Sequence, residues 1–231
     1  SLLHNENNQK MSKRDGTPSI LSYRDNGYLP EAIINYLVRL GWSHGDQEIF
    51  SIEEIEKFFS IDKVGKSPAK FDAKKLDYLN NYFIKKKNNE EIINYIKNNQ
   101  NLKINVDNDF FSDYLSLYKD RAKSISELIE SITKIYDGNF NYSDEEIVIL
   151  KEFEKFKNLI ISKLSDIVDW NSDNLEKVIN EVIVKEELSF KKIAQPLRLT
   201  ITGCTFGPSI FKIIEILGNK ETLKRIKNIN I

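Results

Sequence analysis

Near the start of the chain, residues 9–16 read "QKMSKRDG". Lys10, Lys13 and Arg14 crowd around the small polar Ser12, and Gly16 closes the stretch. A basic, Gly-terminated loop can neutralise phosphate, and mobile lysines can follow charge that develops during phosphoryl chemistry. On composition alone, however, short Lys/Arg clusters are more often solvated charge than sites. No Gly-rich phosphate loop and no strand–helix nucleotide unit stands ahead of it.

A second chemically loaded stretch is "AQPLRLTITGCTFGPSIF", residues 194–211. Arg198 lies close to a helix end, a turn rich in Gly and Thr follows, and Pro208 stands where a second helix begins. Such a corner places a cation beside backbone donors at a helix N-terminus, which suits phosphate or unstacked bases. An ordinary interhelical turn, with Arg198 neutralising the carbonyls of its own helix end, fits the residues equally well.

The remaining candidates favour structural roles. His44, in "GWSHGDQE", has only His4 as a second histidine and no acidic cluster at ligand spacing, so no metal site is expected. Trp42 and Trp170 read as core aromatics. The acidic groups Glu53/Glu54/Glu56, Glu145/Glu146 and Glu186/Glu187 fall at helix starts or exposed faces. Cys204 is the only cysteine, which excludes a disulfide and reads as a buried thiol.

These groups sit on a chain of 231 residues with 40% apolar and 30% charged residues, typical of a soluble globular protein. The single cysteine and the lack of a membrane-length apolar run or signal pattern lead to a cytoplasmic expectation. The net charge of −1 and pI near 6.2 do not mark a general nucleic-acid binder, so any such contact must come from local patches.

Helical signals dominate the elements. Thr17-Pro18 reads as N-cap and first-turn proline. "LPEAIINYLVRLG" places Ile33, Leu37 and Leu40 on one face, with Gly41 as a left-handed cap. Ser51/Glu54 and Ser143/Glu146 form capping boxes, and Asp72 caps "FDAKKLDYLNNYF". Pro208 is expected to start a helix that Gly218 stops. Only "SLLHNE" and "FSIEE" resemble strands. The fold expected is mainly α, in three consecutive units: 1–86, 87–142 and 143–231. The boundaries fall at the polar break 85–89 and the turn-rich "GNFNYSDEE".

The ordered set of motifs resembles the C-terminal half of bacterial glutamyl-tRNA synthetases, class I aminoacyl-tRNA synthetases. "KMSKRDG" looks like the family's KMSKS loop. "YRDNGYLPEAIINYLVRLGWSHGDQEIFS", "KSPAKFDAKKLDYLN", "AQPLRLTITG" and "GPSIFKIIEILG" follow in family order. The glutaminyl relatives carry β-barrels in this region, which the helical periodicity here opposes.

The resemblance implies a fragment that begins at the KMSKS loop, without the Rossmann domain that normally precedes it. The parent activates glutamate with ATP and Mg²⁺ and esterifies tRNA(Glu). In that reading Lys10 and Lys13 are catalytic, and Lys10, Met11, Ser12, Lys13 and Arg14 bind ATP, with Lys13 at the ATP-contacting position. Arg198, Pro208 and Ile210 bind the anticodon, although Ser209 stands where the family often has Gly. Residues 1–86 correspond to the loop and a stem-contact domain, and the two later units to a helical anticodon-binding cage. The fragment is expected to be a monomer without membrane contact, inactive alone and holding no cofactor tightly. The rival reading is a non-catalytic helical protein-interaction module, which the acidic-leaning pI favours.

Overall fold

The computed structural model describes residues 3–5, 7–12, 18–103 and 108–229. Two short strands and twelve α-helices are found among the described residues, so the fold is mainly α. The chain forms two compact units, Ser1–Ile104 with Lys119–Ile129, and Asn105–Tyr118 with Glu130–Ile231.

In the first unit, strand β1 (Leu3–His4) pairs in parallel with β2 (Ala69–Lys70), Leu3 opposite Ala69 and His4 opposite Lys70. Helix α1 (Ile20–Asp25) is capped by Ser19, whose hydroxyl accepts from the Ser22 N–H at 3.2 Å. The expected Thr17–Pro18 start is therefore displaced by two residues: Pro18 precedes the helix, and Thr17 lies outside the described residues. Helix α2 (Pro30–Arg39) has proline at its first position, as its sequence requires. It ends on Leu40 in right-handed geometry, so Gly41 is not the left-handed cap that was expected. Helix α3 (Ile52–Phe58) carries the Ser51/Glu54 capping box, which removes "FSIEE" from the strand candidates. A 3₁₀ turn (Ile61–Lys63) follows. Helix α4 (Ala73–Lys86) is capped by Asp72, and Lys87 and Asn88 suffice to turn the chain into α5 (Asn89–Lys97).

Two buried amides brace this unit. Asn35, fully buried, accepts from the Phe50 N–H at 2.6 Å and donates to the Glu48 carbonyl at 2.9 Å. Asn80, also fully buried, accepts from the Leu29 N–H at 2.8 Å and donates to the Lys123 carbonyl at 2.6 Å. Each satisfies loop backbone groups that helix geometry cannot reach. Trp42 is buried against Phe50, and His44 lies flat on Phe58 at 4.3 Å, so both take the packing roles expected of them.

The second unit contains α6 (Asn108–Tyr118), the later part of α7 (Ile125–Asp137), α8 (Asp144–Ser165), α9 (Ser172–Lys185), α10 (Phe190–Thr202), α11 (Ile210–Leu217) and α12 (Asn219–Lys227). Its core takes Leu150, Phe153 and Ile160 from α8, Ile179 from α9, Leu197 and Ile201 from α10, and Ile213 and Ile214 from α11. Two side-chain donors tie α11 in place, Tyr114 Oη donating to the Ile213 carbonyl and Trp170 Nε1 to the Ile214 carbonyl, each at 3.1 Å; Trp170 is half-buried rather than a full core aromatic.

Candidate functional site

The corner between α10 and α11 is built around Gly203. Its backbone is left-handed (φ 64°, ψ 22°), and its N–H donates to the Leu199 carbonyl at 2.8 Å. This is the αL ending that a helix followed by glycine adopts. Two cations finish the helix end. Lys134 Nζ donates to the Gly203 carbonyl at 2.9 Å, and Arg225 Nη1 to the Ile201 carbonyl at 3.0 Å. Arg225 is held there by Glu221 at 2.9 Å, its side chain only 8% exposed.

That arrangement bears on the two sequence readings of Arg198. Lys134 from α7 serves the Gly203 carbonyl and Arg225 from α12 the Ile201 carbonyl. Arg198 lies a turn earlier and is half-buried, with its Nη1 close to the loop at Gly207. A Cβ added at Gly207 would stand 3.0 Å from Arg198 Nη1, and Gly207 has φ +151°. A side chain there would press on the guanidinium, so glycine lets the arginine lie against the loop backbone.

The loop then delivers the start of α11. Pro208 is buried but precedes the helix, which begins at Ile210 after Ser209. Proline was expected at the first helical position, and the correction has a local reason. Ser209 has the non-helical backbone of an N-cap (φ −52°, ψ 122°), which pushes Pro208 one place outside. No side chain caps this terminus and no acidic residue stands in its first turn, whereas exposed Lys212 does. The positive end of the helix thus has neither a side-chain cap nor a negative charge in its own first turn. Ile210 is only 2% exposed, so the residue belongs to the core beneath the loop. Cys204 is half-buried rather than buried, with Lys134 Nζ 3.4 Å from its Sγ.

In the same loop Phe206 is 81% exposed. Sequence reasoning passed over it, because an aromatic between Thr and Gly carries no periodic signal. Lys134 and Arg225 were passed over for a different reason: only the tertiary fold brings them to α10.

At the other end of the chain, the described part of the "QKMSKRDG" stretch is pinned more firmly than its few apolar residues suggest. The Asn5 N–H donates to the Gln9 carbonyl and the Met11 N–H to the Leu3 carbonyl, both at 2.8 Å. Lys10 bridges His4 from the side opposite Lys70. Directly opposed residues share a sheet face, so Lys10, His4 and Lys70 form one row with neighbouring strands about 4.8 Å apart. Lys10 and Lys70 are exposed, while Met11 and Ser12 are half-buried. Lys13 and Arg14 lie outside the described residues. Among the described residues no group of three or more His, Cys, Asp or Glu side chains is placed to hold a metal ion. No helix among them is long and apolar enough to cross a membrane.

Comparison with known families joins the two ends. A family model described as the anticodon binding domain matches residues 70–230. The chain belongs to that anticodon-binding family. A second model, the catalytic domain of class I tRNA synthetases (E and Q), matches residues 1–78. Among curated relatives, glutamate–tRNA ligase 1 of Campylobacter hominis is 37% identical over 99% of this chain and 49% of its own length. Glutamate–tRNA ligase 2 of Nitratiruptor is 34% identical over 99% and 49%. The chain thus spans about half the length of these relatives. A solved glutamate–tRNA ligase from Elizabethkingia meningosepticum, in complex with its amino acid, superposes with a TM-score of 0.80 at 26% identity, covering 98% of this chain and 49% of that one. The anticodon-binding match contains the whole α10–α11 corner, and the catalytic match contains the Lys10 row. The comparisons lend nothing to the reading as a bare protein-interaction module.

Proposed function

We propose that this chain is the tRNA-binding part of a glutamate–tRNA ligase and that the α10–α11 corner meets the anticodon of tRNA(Glu). The observation that carries this is Arg198. Lys134 and Arg225 serve the Gly203 and Ile201 carbonyls at its helix end, and its guanidinium lies close to the loop at Gly207, beside a helix start without a side-chain cap. A guanidinium there can stack on an unpaired base and hydrogen-bond its edge or a phosphate. Pro208 and Ile210, both buried, shape the loop that meets the bases. In this reading residues 1–86 meet the tRNA stem, and 87–142 and 143–231 form the anticodon cage.

The longer protein activates glutamate with ATP, accompanied by Mg²⁺, in the cytoplasm, where translation needs it, and binds tRNA as a monomer. Lys10, exposed in its row with His4 and Lys70, fits a phosphate contact, and Met11, Ser12, Lys13 and Arg14 follow it in the loop sequence. ATP supplies the adenylate leaving group, pyrophosphate, whose growing charge lysines of this loop would stabilise.

Arg198→Ala tests the reading. Loss of a stacked or bidentate base contact weakens binding by roughly 1–3 kcal/mol. Affinity for tRNA(Glu) is expected to fall by that amount at one fixed salt concentration, with urea stability nearly unchanged. An equal loss for a tRNA with an altered anticodon would mean generic backbone attraction. Unchanged affinity with lowered stability would refute the assignment.

A further inference from the structure

We infer that Phe206 is a stacking platform for one unpaired base of the anticodon loop. The inference rests on the tRNA-binding reading of the α10–α11 corner and adds to it a residue and a mode of contact. Within the corner the apolar residues divide sharply. Ile210 is 2% and Phe211 4% exposed, and Pro208 is buried, whereas Phe206 is 81% exposed. The loop therefore has its own core anchors and does not need Phe206 to pack it. Exposure alone does not single this residue out, because Val168 and Val184 are also open to solvent. What distinguishes it is a planar π face, one residue from the glycine that the Arg198 guanidinium abuts.

The chemistry around Phe206 selects the occupant. Arg198 and Lys212 supply positive charge, and the first turn of α11 has neither an acidic residue nor a capping side chain. An apolar peptide would gain little from that surround. A nucleotide uses all of it, with the base on the ring and the phosphate or base edge on cation and backbone donors. Stacking does not depend on base identity, so Phe206 supplies affinity and holds the base while Arg198 reads its edge.

The test measures binding of the full 231-residue chain to an RNA hairpin bearing the tRNA(Glu) anticodon loop, against the same stem closed by an unrelated loop. Phe206→Ala is expected to weaken hairpin binding about 5- to 150-fold, the range seen when a base-stacking aromatic is truncated. Phe206→Tyr should keep most of the affinity and Phe206→Leu should not. Phe206→Trp should show indole emission quenched by the hairpin and not by the control stem, after subtraction of the parent protein's signal. The thermal midpoint should stay unchanged in all four variants, because the side chain is open to solvent. Full recovery by Leu would show plain apolar contact and overturn the stacking claim. Wild-type affinity in Phe206→Ala, with Arg198→Ala still impaired, would overturn it while leaving the tRNA reading intact. Failure of the parent chain to prefer the hairpin over the control stem would remove both.

Discussion

Single side chains in this protein act through backbone groups that secondary structure leaves unpaired. Arg225 and Glu221 are the plainest case, because the guanidinium reaches the Ile201 carbonyl only while Glu221 holds it. Burial pushes the Glu221 carboxyl up, but the hydrogen bonds from Arg225 and Lys224 outweigh it and hold the group below the ordinary carboxylate value. A lowered folded-state value gives stability that is present above the unfolded carboxylate value, near 4.3, and is lost as pH falls through the folded value. Glu221→Gln is therefore expected to cost about 1 kcal/mol at neutral pH, a modest figure because the carboxylate is partly exposed. The difference from the parent should shrink as pH drops below about 4, which urea titrations at several pH values would show. Asn80 has the larger stake. Asn80→Ala strands the buried Leu29 N–H and removes the donor to the part-buried Lys123 carbonyl, and a loss of roughly 1–3 kcal/mol is expected in urea unfolding at neutral pH.

Helix ends show which elements could be read from the chain and which could not. The Ser51/Glu54 and Ser143/Glu146 boxes form as their spacing dictates, since both partners lie within one turn. Gly203 takes its left-handed cap, and Gly218 ends α11. The misses involve proline and glycine, where two local solutions compete. Pro18 and Pro208 are displaced outward because Ser19 and Ser209 occupy the N-cap positions after them, and Gly41 is spared because Leu40 ends α2 without a left-handed residue. In the candidate site Arg198 and the glycine turn were legible, being neighbours in sequence. Lys134, Arg225 and the exposure of Phe206 were not, because they depend on how α7, α12 and the loop meet. Gly203 is the position where this element is most fragile. A Cβ there would stand 2.4 Å from Phe140 Cδ1 and 2.9 Å from Lys134 Cε, on a backbone with positive φ. Gly203→Ala is expected to lose roughly 2–3 kcal/mol, from left-handed strain plus displacement of the ring. It should lower the urea midpoint with no change in slope, and it should also weaken tRNA binding, because the cap aims the loop.

At the scale of the whole molecule, the two ends of the chain carry different parts of one proposed task. The anticodon-binding match covers residues 70–230, while the synthetase catalytic model reaches only residues 1–78, and the curated relatives are about twice as long. Activation of an amino acid by ATP depends on holding carboxylate and α-phosphate in line, and positioning of that kind supplies about 7–11 kcal/mol of barrier lowering in well-oriented systems. The row of Lys10, His4 and Lys70 can meet phosphate from one side, but a single exposed sheet face does not orient two reactants. These 231 residues alone are therefore expected to show no glutamate-dependent exchange of pyrophosphate into ATP, while still binding tRNA. That binding should weaken as salt rises, with a slope set by the number of phosphates neutralised rather than by the net charge of −1. The two measurements bear on different claims. Exchange above background would place a complete activation site within this chain and overturn the division of labour. Salt-insensitive association with tRNA would overturn the phosphate and base contacts assigned to the anticodon corner, whatever the exchange assay gives.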